Sequence, residues 1–170
     1  MSELRCEIDY RGWKRWVNEN GELHRVDGPA FIDLKGNKQW LQNDKLHRTN
    51  GPAIEYAHGK KEWFQNGERH RLDGPAVEHI DGTKEWWVHG ICHRDDGPAV
   101  EYGCGGNRWF QNDKLHRTDG PALTNSDGSR QFWIKGVMYG SLQEYMAQLS
   151  AEEKKKALFN IRELLGGFKK

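Results

Sequence analysis

The sequence predicts an all-β repeat array: stacked antiparallel β-hairpins of 23-residue period, capped by two short C-terminal α-helices. Three observations predict it. All five prolines, Pro29, Pro52, Pro75, Pro98 and Pro121, fall 23 residues apart, each inside a Gly-Pro-Ala segment, and a fixed period of this size marks a repeat architecture. Turn-forming residues divide every unit into stretches too short for a helix. Beyond residue 140 the period stops and apolar residues recur at helical spacing.

Within the period, His24-Arg25, His47-Arg48, His70-Arg71, His93-Arg94 and His116-Arg117 keep the same step, as do Trp40, Trp63, Trp86 and Trp109, with Phe132 next in the column. In the third unit Ala76 to Ile80 and Lys84 to Val88 flank Asp81-Gly82, the signature of a hairpin with a tight turn. Asn66-Gly67, and less ideally Asn43-Asp44 and Asn112-Asp113, mark a second reversal. The Asp-Gly-Pro segment is a third break, because proline cannot donate to a ladder and glycine allows a bend. A lone hairpin is marginal in water, so the units must stack. Alternation of side chains puts the Trp column on one face and Leu41, Phe64, Trp87, Phe110 and Trp133 on the other. The second column is then either covered by loops or left open as a binding surface.

Both ends depart from the pattern. Trp16 stands one place early, so the first unit carries an extra residue, read as a bulge or a longer turn. A sixth unit begins at Gln131-Phe132, but Val137-Met138-Tyr139 stands where His-Arg should follow. Ser141-x-x-Glu144 and Ser150-x-x-Glu153 are capping boxes. Leu142, Tyr145, Met146 and Leu149, then Leu158, Ile161, Leu164 and Leu165, form apolar faces, and Gly166-Gly167 stops the second helix. Residues 1–140 are thus the array and 141–170 the helical cap.

Leu, Ile, Val and Phe make up only about a fifth of the chain, a level at which disorder must be considered. The 26 basic and 25 acidic side chains nearly cancel, however, and eight Trp and five Tyr concentrate the apolar surface in large rings, which argues for a folded chain. The same balance excludes a polycation that grips nucleic acid or anionic membrane by charge. No apolar run suggests a leader or a membrane span, so the expectation is a soluble, cytoplasmic protein without membrane contact. Cys6, Cys92 and Cys104 show no C-x-x-C spacing and read as reduced thiols.

Repeats of N-G-x-x-H-R-x-D-G-P-A with a preceding Trp, over roughly residues 12 to 140, resemble the tandem repeats of bacteriophage and giant-virus proteins distantly related to MORN repeats. The resemblance implies consecutive hairpins that scaffold protein and sometimes lipid contacts, with an antitoxin-like variant group. It implies no catalytic residue.

The His-Arg column carries the most conspicuous chemistry. As an anion groove, Arg48, Arg71, Arg94 and Arg117 present guanidinium forks while Phe64, Trp87 and Phe110 offer stacking faces for a nucleotide. As structure, each Arg pairs with the Asp two residues on, as Arg71 with Asp73, and each His bonds a backbone group to lock the Asp-Gly-Pro turn. Identical residues in every copy favour the structural reading. Five His at steps of roughly 9 to 10 Å cannot share one ion. Cys92 and His93, adjacent on a strand, point apart and make no nucleophile and base. No P-loop, G-x-S-x-G or H-E-x-x-H motif occurs, and Gly103-Cys104-Gly105-Gly106 is not followed by a helix.

The sequence therefore reads as a non-enzymatic binding module without metal or cofactor. It is expected to be a viral protein that docks on a host protein through Phe64, Trp87, Phe110 and Trp133 and through individual central loops around His58, His79 and His89. The rival is a sponge that sequesters a signalling nucleotide on Arg71, Arg94 and Arg117, and a third reading is an antitoxin-like partner. No sequence-specific nucleic-acid contact is expected, and open sheet edges allow a homodimer.

Overall fold

Turn residues interrupt the chain so often that most of its strands are two residues long. The computed structural model describes residues 4–164 and forms two compact units, Met1–Ile91 and Cys92–Lys170. In the first, Arg5–Ile8, Lys14–Val17, Phe31–Ile32, Lys38–Gln39, Ile54–Glu55, Lys61–Glu62, Val77–Glu78 and Lys84–Glu85 follow one another in an antiparallel ladder. In the second, Val100–Glu101, Asn107–Arg108, Leu123–Thr124, Arg130–Ile134 and Val137–Tyr139 do the same.

The register sorts side chains into two rows. Lys38, Glu55, Lys61, Glu78 and Lys84 stand opposite one another with alternating charge, an arrangement that favours cross-strand attraction. Their neighbours Gln39, Ile54, Glu62, Val77 and Glu85 point to the other face, where Ile54 and Val77 are buried.

Separate two-stranded hairpins alternate with the ladder strands. Leu41–Gln42 pairs with Lys45–Leu46, Phe64–Gln65 with Glu68–Arg69, and Phe110–Gln111 with Lys114–Leu115. Their turns are type I′, with both central residues at positive φ: Asn66 and Gly67 at 53° and 89°, Asn43 and Asp44 at 52° and 60°, Asn112 and Asp113 at 50° and 61°. Asp is kept at this strained place because its carboxylate accepts a backbone N–H from the preceding repeat, Leu23 to Asp44 at 2.7 Å and Cys92 to Asp113 at 2.8 Å. The Asp81-Gly82 reversal differs from the tight turn expected. It is a three-residue loop closed by His79 N–H to Thr83 C=O at 2.9 Å, in which only Gly82 has positive φ and Asp81 accepts from Thr83 N–H.

Each Trp of the column is a pivot between a ladder strand and a hairpin. Trp40 and Trp63 donate their N–H to Ala53 and Ala76 and accept through their carbonyls from His47 and His70, yet belong to neither strand pair. Simple alternation along one strand therefore does not relate Trp63 to Phe64. Ala30, Ala53, Ala76, Ala99 and Ala122 are all 0% exposed, so nothing larger than a methyl group fits where the layers approach. The extra residue of the first unit is a longer turn: Asn18 N–H bonds Glu22 C=O at 2.9 Å and the Asn18 side chain accepts from Asn20 and Glu22. Trp16 thereby keeps its bonds to Ala30 and His24.

The two C-terminal helices, α1 (Leu142–Ala147) and α2 (Ala151–Leu164), belong to the second unit. The capping box at Ser150 forms in full, and at Ser141 the Glu144 carboxylate reaches one residue further back, to Gly140. Ser141 and Ser150 accept from Glu144 and Glu153 N–H, while those carboxylates accept from Gly140 and Ser150 N–H. Tyr145, Leu149, Ala157 and Ile161 make a core with Phe132, Ile134, Tyr139 and Met146. Leu142 and Leu158, expected on the buried faces, are exposed. Leu165, the Gly166-Gly167 stop, Lys169 and Lys170 lie outside the described residues.

Candidate binding surface

The arginine column is built into the scaffold. Arg71 donates through Nε to Asp73 at 2.9 Å and through Nη1 to Pro75 C=O at 3.1 Å and Glu78 at 3.0 Å, with its guanidinium 4.1 Å from the centre of the Trp63 ring. Arg94 makes the corresponding bonds to Asp96, Pro98 and Glu101, and Arg117 bonds Asp119 and Pro121 while stacking on Trp109 at 3.9 Å. Arg48 uses Asn50 in place of the aspartate. The fixed glycine follows from this. A Cβ on Gly97 or Gly74 would stand 2.6 or 3.0 Å from the guanidinium carbon of Arg94 or Arg71. The hydrogen bond from each arginine holds Asp27, Asp73 and Asp96 below the ordinary aspartate value. The nucleotide sponge required arginines free of acidic partners in their own chain, and Arg71, Arg94 and Arg117 each have one or two.

The histidines bond a backbone group, but not in the Asp-Gly-Pro turn. Nδ1 of His70 accepts from His89 N–H at 3.2 Å, that of His93 from Asn112 at 3.3 Å and that of His116 from Lys135 at 3.0 Å. Each donor is the first of the two positive-φ residues in the following repeat's hairpin turn. Within each compact unit the column thus ties one repeat to the next. Burial, with neighbouring His89, holds His70 below the ordinary imidazole value against the pull of Glu68; burial and Lys135 do the same for His116 against Glu153.

Phe64, Trp87, Phe110 and Trp133 are half-buried. Their carbonyls accept backbone N–H from Arg48, Arg71, Arg94 and Arg117, so the backbone brings the two predicted sets together. The guanidinium groups turn the other way, Arg48, Arg71 and Arg117 onto Trp40, Trp63 and Trp109. The indole N–H of Trp87 is held by Glu85 and that of Trp133 by Gln131. His79 also bonds Glu85 at 2.7 Å, His58 lies against Tyr56, and His89 packs on His70.

Three features escape sequence reading. Glu62 is 3% exposed and is held by Lys60 and Arg69, both at 2.8 Å, and by the Tyr56 hydroxyl. Burial works to raise its carboxyl, and the two cations more than offset it. Second, the tips of successive ladder loops carry Tyr10, Leu34 and Ile80, exposed by 89%, 71% and 67%. Leu34 lies 3.2 Å from the Cβ position of Gly12, Ala57 3.9 Å from that of Gly36 and Ile80 3.5 Å from that of Gly59, so each stands over the glycine of the preceding loop and the tips form an apolar ridge along successive loops of the first unit. The only sequence signal was an apolar residue where turns normally carry polar ones. Third, grooves separate successive His-Arg-x-Asp-Gly loops. Two of about 220 and 480 Å³ lie in the first unit, floored by Trp40 and Gln42 and by Trp63 and Gln65, and one of about 340 Å³ in the second is floored by Trp109 and Gln111.

Among the described residues, no group of three or more His, Cys, Asp or Glu side chains is placed to hold a metal ion, and no helix is long and apolar enough to cross a membrane. Neither any family model nor any curated protein matches the sequence.

Proposed function

We propose that the chain is a non-enzymatic module that binds a protein partner through the residues in which its copies differ. The observation that carries this reading is the division of labour among side chains. Arginine, histidine, glycine and alanine, common to every copy, are committed to bonds and close packing within the scaffold, whereas the apolar ridge of Tyr10, Leu34, Ala57 and Ile80 is individual and open. The half-buried column of Phe64, Trp87, Phe110 and Trp133 borders the surface as a secondary contact. The resemblance to phage and giant-virus repeats makes a host protein the partner, blocked or redirected by docking; an antitoxin-like role differs only in the identity of that partner.

Affinity capture from host lysate tests the reading, with the wild type beside Leu34→Ser/Ile80→Ser. The expected outcome is a protein retained in stoichiometric amount by the wild type and lost by a variant whose denaturation midpoint is unchanged. Recovery of a nucleotide and no protein, or capture indifferent to the ridge, counts against it.

A further inference from the structure

The grooves between loops hold hydrogen-bonding groups that the fold leaves unengaged. The two grooves of the first unit lie side by side and share Arg48, Thr49 and Asn50 as a common wall. Among the described residues, the indole N–H groups of Trp40 and Trp63 and the amides of Gln42 and Gln65 bond no partner, in contrast to the indoles of Trp87 and Trp133. Because Nδ1 of His70 accepts from His89 N–H, its neutral ring carries the proton on Nε2 and is a further donor in the groove it lines. The guanidinium groups of Arg48 and Arg71 lie on the faces of the floor indoles with their charge met by Glu55 and by Asp73 and Glu78. The unengaged indole and amide N–H groups of these floors suit a ligand that presents carbonyl acceptors.

Spacing narrows the choice. The strands leading into the two floors, Lys38–Gln39 and Lys61–Glu62, are separated by the single strand Ile54–Glu55, which puts equivalent points roughly 9.4 to 9.8 Å apart. A polyproline II helix presents the same face every three residues of ~3.1 Å each, a step of about 9.3 Å. An extended strand repeats its face at about 6.7 Å, and an α-helix at about 5.4 Å and, over two turns, about 10.8 Å, so neither matches the spacing as closely. Polyproline II carbonyls are free of internal bonds, and proline brings no N–H to compete. Val26 and Leu72, exposed by 69% and 79%, border the two grooves with apolar surface for pyrrolidine rings.

We propose that the paired grooves of the first unit bind a proline-rich segment in the polyproline II conformation. The indoles of Trp40 and Trp63, aided by Gln42 and Gln65, donate to carbonyls one turn apart. The assignment rests on the reading of the chain as a binding module and names a ligand class for a site separate from the loop-tip ridge. The second unit's groove has Trp109 and Gln111 at the corresponding places, but the Trp109 indole N–H is buried and out of a ligand's reach. Asp95 stands there in place of Val26 and Leu72, beside Glu153 and Lys156, so it binds the same segment more weakly.

The test is a titration of the full chain, followed by the indole resonances in proton–nitrogen NMR, with nonaproline, a glycine–serine peptide of equal length, and cellohexaose. The Trp40 and Trp63 indoles are expected to shift with nonaproline alone. Gln42→Ala/Gln65→Ala, which removes two hydrogen bonds, is expected to weaken binding about tenfold without moving the urea midpoint. Silent indoles, an equal shift with the glycine–serine peptide, or a shift with the sugar alone overturns the assignment. Silent indoles beside a lysate capture that Leu34→Ser/Ile80→Ser abolishes overturn it while leaving the protein-binding reading in place.

Discussion

At Gly97 the cost of an added methyl group is set by an arginine. The glycine is not at positive φ, so alanine meets no backbone strain there. Its Cβ meets the Arg94 guanidinium at 2.6 Å, and the arginine can step aside only by loosening its bonds to Asp96, Pro98 and Glu101. Gly97→Ala and Arg94→Ala should each destabilise by about 2 kcal/mol. The double variant should fall short of their sum by about 1 kcal/mol or more, as read from urea midpoints; strict additivity would contradict the account. The pairing of each arginine with the aspartate two residues on was legible, because it needs only local reach. The bonds four and seven residues on, as from Arg71 to Pro75 and Glu78, were not, since they exist only once the Asp-Gly-Pro bend has formed. The histidine partner was misplaced for a similar reason: it stands 19 residues away, and only stacking of units sets that register.

Among elements, a tyrosine hydroxyl and the Asn160 amide, which donates to Asp119 at 2.9 Å, tie the cap to the last Asp-Gly-Pro turn. Tyr145 is fully buried; its OH donates to Arg117 or Gly120 C=O and accepts from Gly120 N–H, and burial pushes its phenol up to about 12. Tyr145→Phe leaves those backbone groups of the last Asp-Gly-Pro turn unpaired and should cost about 1 to 3 kcal/mol, with the loss of amide-exchange protection concentrated at Gly120. An unaltered midpoint would show that the cap holds without the hydroxyl. The type I′ turns give a second comparison. Asp44→Gly relieves a φ of 60° but gives up the bond to Leu23, so it should be close to neutral, whereas Asp44→Ala loses the bond and keeps the strain, at about 1 to 2 kcal/mol; equal midpoints for the two variants would contradict this. The capping boxes and Asn-Gly turns were legible because their chemistry lies within four residues. The three-residue loop at Asp81-Gly82 was not, because that dipeptide also serves a longer loop in which the aspartate side chain caps.

For the molecule as a whole, the histidine ties predict a dependence on pH. His70 and His116 are held below the ordinary imidazole value in the folded chain, so the unfolded chain takes up protons first. Their stabilising effect is therefore complete above about pH 6.5 and is lost as pH falls through the lowered folded values. The melting temperature should drop between pH 7.5 and 5.5, and His70→Gln/His116→Gln should flatten that slope; a wild type with no slope contradicts the role given to them. The antiparallel hairpin fold and the terminal helices were legible in periodicity. The proposed binding surface was legible only in part, because the copies share their scaffold residues conspicuously, while Leu34, Leu72 and Ile80 stand out only once the loops that carry them are known to project. The most direct test sets a shared residue against copy-specific ones, measuring the urea midpoint and partner capture for Arg71→Gln and for Leu34→Ser/Ile80→Ser. The account predicts a lowered midpoint for the first, and an unchanged midpoint with lost capture for the second. An Arg71→Gln chain that keeps its midpoint and loses its partner would place the arginine column in the binding site and contradict it.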